Sequence, residues 1–119
     1  MPRSSKYEVN RAAVVHAREL IDARRYVVRS RWADVQPDAA ARNAFLERHS
    51  WDEYGAWHLA VTTTAAPETK ARYGFVFGDF RRLHRMGLIA CYYRAAEWEH
   101  RAVMEAAHAL LLHLDDHRR

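Results

Sequence analysis

The chain has few of the residues that form covalent or metal cross-links and few that interrupt regular structure. Its 119 residues include one cysteine, four glycines and three prolines. One cysteine excludes an internal disulfide and a zinc site built from several cysteines. The glycines form no phosphate-binding loop, and no serine or cysteine stands in a nucleophile elbow. The sequence therefore indicates no cofactor and no catalytic set.

Long apolar runs are also missing. No run approaches the roughly 20 residues that a membrane-spanning helix needs, and no secretory signal follows Met1. Apolar residues nevertheless make up 50% of the chain, which suffices for a core in a protein of one-domain length. We expect one cytoplasmic domain over residues 1–119, with a flexible amino terminus at 1–6 and a frayed carboxyl end at 117–119.

Helical spacing of the apolar residues predicts an all-α fold, a compact bundle of four to five helices. Ser5 with Glu8 and Ser50 with Glu53 have the spacing of a capping box, and Asp79 is a suitable N-cap. Pro37 marks a further helix start. The expected helices cover about 7–29, 37–49, 51–61, 80–96 and 99–116.

The segment 62–78 combines strand-like composition at 62–64 and at 73–77. These two stretches are suited to a small hairpin, but an isolated two-stranded ribbon is marginally stable. We therefore favour an ordered, aromatic-rich loop with a helical turn near 68–72.

Titratable and aromatic side chains are densest in the middle of the chain. If they converge, they form a polar pocket able to hold an anion or move a proton. The alternative is that each histidine is a satisfied core residue. The residues of this predicted pocket are His58, Asp79, His84, Arg85, Trp57 and Tyr73.

Arginine supplies most of the positive charge. Nineteen Lys and Arg against fifteen Asp and Glu give a net charge of +4. Arginine stripes on helices, with tyrosines nearby, suit phosphate neutralisation and base stacking, although an ordinary charged surface has the same composition. The predicted anion-binding surface consists of Arg11, Arg18, Arg25, Arg81 and Arg82.

Eight histidines raise the question of a metal site. Glu97 with His100 and Glu105 with His108 have Glu-x-x-His spacing, and His113 with His117 are four residues apart. The apolar face of the last helix turns Glu105 and His108 towards solvent. We therefore interpret these pairs as surface residues and predict no metal ligands.

Several blocks together resemble a family of small uncharacterised bacterial proteins, and are most similar to its actinobacterial members. These blocks are 49–54 (HSWDEY), 57–59 (WHL), 68–70 (ETK), 73–80 (YGFVFGDF) and 84–90 (HRMGLIA). The resemblance implies no activity, cofactor or partner.

Three hypotheses follow. The first is a non-enzymatic binding or adaptor protein whose partner is a protein or an anionic ligand such as nucleic acid. The second is a small-molecule or catalytic site around His58, Asp79, His84 and Arg85, and the third is a metal site. Homo-oligomerisation is compatible with all three.

Overall fold

A computed structural model describes residues 7–119 of the chain and shows a mixed α/β fold. That part of the chain contains five short strands and six helices. In order they are β1 (Tyr7–Val9), α1 (Arg11–Asp22), β2 (Tyr26–Val27), α2 (Trp32–Val35), α3 (Ala39–Arg48), α4 (Trp51–Gly55), β3 (His58–Thr62), β4 (Tyr73–Val76), β5 (Leu83–His84), α5 (Arg85–Glu97) and α6 (Arg101–His117). A 3₁₀ turn, Lys70–Arg72, precedes β4.

The strands form two sheets, so the prediction of an all-α bundle was wrong. β3 lies in the middle of an antiparallel sheet of order β1–β3–β4, and β2 pairs in parallel with β5. The strands have two to five residues. Segments this short carry too few residues for the strand period to be distinguished from the helical one.

The first expected helix is split into three elements. Residues 7–9 pair with β3, with Tyr7 opposite Thr62 and Val9 opposite Ala60, so the helix predicted to begin near residue 7 was wrong there. Ser5, the other half of the predicted capping box, lies outside the described residues, as does the predicted flexible segment 1–6. Helix α1 ends at Asp22, not at residue 29, because Arg24 adopts a left-handed conformation (φ 60°) that closes the helix.

The two predicted helix starts near residues 38 and 50 are confirmed. The Asp38 carboxylate accepts a hydrogen bond from the Ala41 amide at 2.8 Å. Ser50 and Glu53 form a complete capping box, in which each side chain accepts from the other's amide. Helix α4 nevertheless stops at Gly55, and the chain continues as strand β3, so the helix expected through residue 61 was wrong beyond that point.

The segment 62–78 contains strand β4, so the loop that we favoured was wrong in part. β4 pairs with β3 through His58 opposite Val76 and Ala60 opposite Gly74, and the hairpin is stable because β1 adds a third strand. The helical turn expected near 68–72 is confirmed by the 3₁₀ turn.

Asp79 caps a turn, and the helix expected from residue 80 begins at Arg85. Asp79 Oδ1 accepts hydrogen bonds from the Arg81 and Arg82 amides at 2.9 and 2.8 Å. Phe80, which lies between Asp79 and Arg81, has φ 71°. Such a carboxylate can cap a helix, but in this protein the Asp79 carboxylate closes a loop before β5.

The core lies between the β1–β3–β4 sheet and helices α1, α5 and α6. α5 packs along α6, and α6 also contacts α1, β1 and β3. The apolar face predicted for the last helix is confirmed in α6, where Val103, Ala107, Leu110 and Leu114 are buried and Leu111 is half-buried. Across residues 7–119, the helices lack the length and apolar character that crossing a bilayer requires.

Candidate anion-binding pocket

A cavity of about 340 Å³ opens beside strand β4 and helix α5. Its wall includes the residues of β4, with Ala90 and Cys91 of α5. Its larger polar and aromatic lining residues are Trp32, Gln36, Arg42, His58, Tyr73 and Arg94. We refer to this cavity as the Arg42 pocket.

His58 is buried at the base of the Arg42 pocket, with 1% of its surface exposed. Its Nδ1 lies 2.9 Å from the Tyr54 carbonyl oxygen, which only accepts, so Nδ1 carries the proton. Nε2 is then free to accept a hydrogen bond from Arg42 Nη1 at 3.2 Å. Burial, reinforced by the Arg42 charge, lowers the pKa of His58 to about 4, so the imidazole is neutral at pH 7.

Arg42 is anchored by two neutral acceptors. Besides His58, its Nη1 contacts the Tyr54 hydroxyl at 3.0 Å. Within residues 7–119, no carboxylate comes within ion-pairing distance of Arg42. The guanidinium therefore brings an uncompensated positive charge to the pocket, with further N–H donors available to a ligand.

Arg94 supplies a second cation to the pocket from α5. It forms no ion pair with any carboxylate in the described part of the chain. One turn earlier, burial raises the pKa of the Cys91 thiol to about 12, although the Arg94 charge opposes the shift. Cys91 is thus an inert wall residue, directed at the Phe75 and Val76 carbonyls.

Aromatic rings complete the lining of the Arg42 pocket. Tyr73 lies 5.9 Å from the rings of both His58 and Tyr54, and Trp32 lies 5.3 Å from the ring of His84. Position 55 has to be glycine for this arrangement, because a Cβ there would lie 2.7 Å from Cζ of Tyr73. Aromatic rings beside two guanidinium groups suit a ligand whose own ring packs against them while its anionic group contacts the guanidinium groups.

The six residues of the predicted pocket are distributed over several places. His58 and Tyr73 line the Arg42 pocket. Asp79 and His84 contact each other at 2.9 Å, and Trp32 lies between His84 and the pocket. Arg85 forms a bidentate ion pair with Asp115, both bonds at 2.8 Å. The four-residue convergence that we hypothesised is therefore reduced to one pair.

Trp57 lines a different cavity, of about 280 Å³, with Phe45, Phe80 and His16. The Trp57 ring lies 4.9 Å from the His16 ring, edge to face. Burial lowers the pKa of His16, against the opposing influence of Glu19, and its Nε2 is buried without a partner among residues 7–119. Trp57 is consequently a core residue and is separate from the Arg42 pocket.

The predicted anion-binding arginines fall into two groups. Arg11 and Arg18 are exposed on α1. Arg25 donates a hydrogen bond to the Arg81 carbonyl oxygen at 3.1 Å, so it lies beside the exposed Arg81 and Arg82. We refer to the second group as the Arg25 surface, which consists of Arg25, Arg81 and Arg82.

The histidine pairs of the sequence do not gather into a ligand set. Within residues 7–119, no three His, Cys, Asp or Glu side chains are placed to hold a metal ion. His113 contacts Asp22 at 2.7 Å, and His100 packs edge-on against Tyr7 and Phe75. Both histidines have partners that tie separate elements together.

Sequence reasoning missed Arg42, Arg94 and Trp32. Arg42 lies on α3 and Arg94 on α5, about fifty residues apart in the chain, and both line the cavity beside β4. No local spacing links them, so a pattern search along the chain has no signal for the pair.

Comparison of the chain with family models, with curated proteins and with solved structures gives no match. The resemblance to small bacterial proteins therefore stays a prediction.

Proposed function

We propose that this protein binds a small anion with a carboxylate or phosphate group, which it holds in the Arg42 pocket. One observation carries the proposal. The Arg42 guanidinium is fixed by two neutral acceptors beside a cavity of about 340 Å³ and has no carboxylate partner among the described residues. An anion is the partner that a partly buried, unpaired guanidinium favours.

The shape and second charge of the pocket narrow the ligand class. Arg94 offers a second set of donors, and Trp32 and Tyr73 offer aromatic faces. A volume of about 340 Å³ lies at the low end of small-molecule sites, which suits a ligand with one ring. His58 stays neutral at pH 7, so it fixes Arg42 without adding a charge of its own.

The test is calorimetric titration of the full chain with benzoate and with inorganic phosphate. Benzamide, the neutral analogue of benzoate, is the ligand control. We expect saturable binding of at least one anion and no binding of benzamide. Replacing Arg42 by Gln removes a charged hydrogen-bond donor and should weaken binding about 10- to 100-fold.

Two further variants control for charge and for folding. Arg18→Gln removes the same charge from the exposed face of α1 and should leave the affinity unchanged. Arg94→Gln alters a pocket cation that does not anchor Tyr54 or His58, so it should weaken binding without disturbing the fold. Equal affinities for the wild type, Arg42→Gln and Arg94→Gln would contradict the proposal.

A second candidate function is nucleic-acid binding at the Arg25 surface. It is favoured by the hydrogen bond from Arg25 to the Arg81 carbonyl, which holds three arginines together. Anisotropy of labelled RNA and DNA at low and near-physiological salt tests it. Binding that weakens steeply with salt, and that is lost in a variant with Gln at positions 25, 81 and 82, would support this candidate. Salt-independent binding or no binding would reject it.

Other predictions of the sequence keep their status as proposals. We propose that the protein binds its anion in the cytoplasm, a compartment in which a free thiol such as Cys91 remains reduced. A protein partner and self-association stay predictions. Sedimentation of the full chain at several concentrations tests self-association, and a mass that stays constant at that of one chain would reject it.

A further inference from the structure

Three side chains away from the lining of the Arg42 pocket form a continuous chain of hydrogen bonds. Ser30 Oγ lies 3.0 Å from His84 Nδ1, and His84 Nε2 lies 2.9 Å from Asp79 Oδ2. The imidazole is buried, with 4% of the residue exposed, whereas Ser30 is half-buried. A serine, a histidine and a carboxylate are connected in the order of a Ser-His-Asp triad, with the two imidazole nitrogens exchanged: Nδ1 faces the serine and Nε2 faces the carboxylate.

The hydrogen-bond partners of His84 decide which of its ring nitrogens carries a proton. Asp79 Oδ1 already accepts the Arg81 and Arg82 amides, and these bonds together with the one from His84 lower the pKa of the carboxyl, although burial acts in the opposite direction. An ionised carboxylate only accepts, so His84 Nε2 carries the proton. In the neutral imidazole, Nδ1 is then left with its lone pair and can accept from the Ser30 hydroxyl.

The fold holds this arrangement in place. β2 pairs in parallel with β5, with Val27 opposite His84, so the segment that follows β2 brings Ser30 alongside the imidazole. The His84 amide donates to the Phe77 carbonyl oxygen at 3.0 Å, and the Trp32 ring packs against the imidazole. The neighbouring cation, Arg85, is occupied by Asp115. The base, His84, is therefore fixed on several sides, and both ends of the chain of hydrogen bonds, Ser30 and Asp79, are half-buried.

We propose that Ser30 is a nucleophile towards small carboxylic esters, with His84 as its general base and Asp79 as the residue that positions His84. The proposal is independent of anion binding in the Arg42 pocket, because no residue is shared between the two sets. Trp32, which lines that pocket and contacts His84, is the structural connection between the two regions.

The reaction balances with water as the co-reactant. Ser30 Oγ forms a bond to the acyl carbon while its proton moves to His84 Nδ1. The bond from the acyl carbon to the alcohol oxygen then breaks, and the alcohol leaves with that proton. Water attacks the acyl-serine, His84 takes one proton from the water and returns it to Ser30 Oγ, and the carboxylic acid is released.

The test is covalent labelling of the full chain with a fluorophosphonate, followed by peptide mapping. We expect one adduct, on Ser30. Ser50 is an internal reference, because its hydroxyl oxygen accepts the Glu53 amide within a capping box. Ser30→Ala should abolish labelling, whereas Ser50→Ala should leave the rate unchanged.

Asp79→Asn separates the chemical role from a structural one. The asparagine oxygen can still accept the Arg81 and Arg82 amides, so the turn should persist. Its amide group would donate to Nε2, force the proton onto Nδ1 and remove the acceptor that Ser30 needs. We expect labelling to fall about 100-fold while the circular dichroism spectrum is unchanged.

Two results would overturn the proposal. One is a folded wild type in which Ser30 is labelled no faster than Ser50. The other is a folded Asp79→Asn variant that is labelled at the wild-type rate. Either result would show that the three residues only connect β2, β5 and the Asp79 turn.

Discussion

The two buried histidines of the central region differ in what surrounds them. His58 accepts a hydrogen bond from a cation, Arg42, and donates to a carbonyl oxygen. His84 donates to a carboxylate, Asp79, and accepts from a hydroxyl. In each histidine, the nitrogen that faces a group able only to accept, the Tyr54 carbonyl or the Asp79 carboxylate, keeps the proton. His58 is therefore an anchor that directs Arg42, whereas His84 has the hydrogen bonds of a base.

The largest expected effect concerns acid stability, which should depend on His58. Its pKa is near 6.5 in the unfolded chain and is lowered to about 4 by burial and Arg42. The unfolded state therefore binds the proton first as the pH falls. The stability that the neutral imidazole contributes is complete above pH 6.5 and is lost as the pH falls to about 4, with a total of about 3 kcal/mol.

The measurement is urea unfolding of the wild type and of His58→Gln between pH 7 and pH 4. Glutamine can accept from Arg42 but does not titrate in this range. His16, whose pKa is also lowered, adds to the pH dependence of the free energy of unfolding in both proteins. The difference between the two pH dependences therefore isolates His58. If the free energy of unfolding depended on pH equally in the wild type and in His58→Gln, His58 would not be desolvated in the folded protein. Asp79 and Asp115, whose pKa values are lowered from 3.8, lose their contributions only in more acidic solution.

The next effect concerns Trp32, which lines the Arg42 pocket and also contacts His84. A Cβ on Gly87 would lie 2.8 Å from the Phe77 carbonyl oxygen and 3.0 Å from Cη2 of Trp32. We expect Gly87→Ala to destabilise the fold by about 1–3 kcal/mol, because the indole or the backbone has to move. Anion binding and Ser30 labelling should both decrease. A change in only one of them would show that Trp32 does not connect the two regions.

The smallest effect concerns Arg85. Its ion pair with Asp115 is partly exposed, with side-chain exposures of 28% and 37%, so solvent screens it. Arg85→Gln should cost less than about 1 kcal/mol in thermal or urea unfolding. Neither anion affinity nor Ser30 labelling should change. A large loss of either would place Arg85 in a functional site, as the sequence first suggested.

The elements that were predicted correctly from the sequence are those with a local chemical signal. The Ser50–Glu53 capping box and Pro37, which comes directly before the Asp38 cap, mark real helix starts, and the apolar spacing of α6 identifies its buried face. These features involve residues within a few positions of one another, so a single sequence contains the information.

The elements that were missed depend on distant partners or on unusual backbone. Helices α1 and α5 end in Schellman motifs with Arg24 and Glu99 in the left-handed position, where glycine is usual. No glycine marked either end. Strand β1 exists because it pairs with β3, about fifty residues away. The tertiary contact overrides the local helical pattern there.

The candidate site was predicted in fragments for the same reason. Asp79 and His84 are five residues apart, and a turn brings them together, so the sequence could suggest the pair. Ser30 reaches His84 only through the parallel pairing of β2 with β5. Arg42 reaches His58 only through the packing of α3 against α4 and the turn that leads into β3. Neither contact leaves a pattern in one sequence.

The central claim, that Arg42 is an unpaired cation prepared for a small anion, is tested most directly by nuclear magnetic resonance. The measurement is a titration of the ¹⁵N-labelled chain with benzoate and, separately, with inorganic phosphate, followed through the Arg42 guanidinium, the Trp32 indole and the His58 imidazole. With at least one of the two anions we expect saturable shifts at all three groups and much smaller shifts at Arg25. Shifts confined to Arg25, Arg81 and Arg82, or shifts that saturate with neither anion, would contradict the proposed anion binding by Arg42.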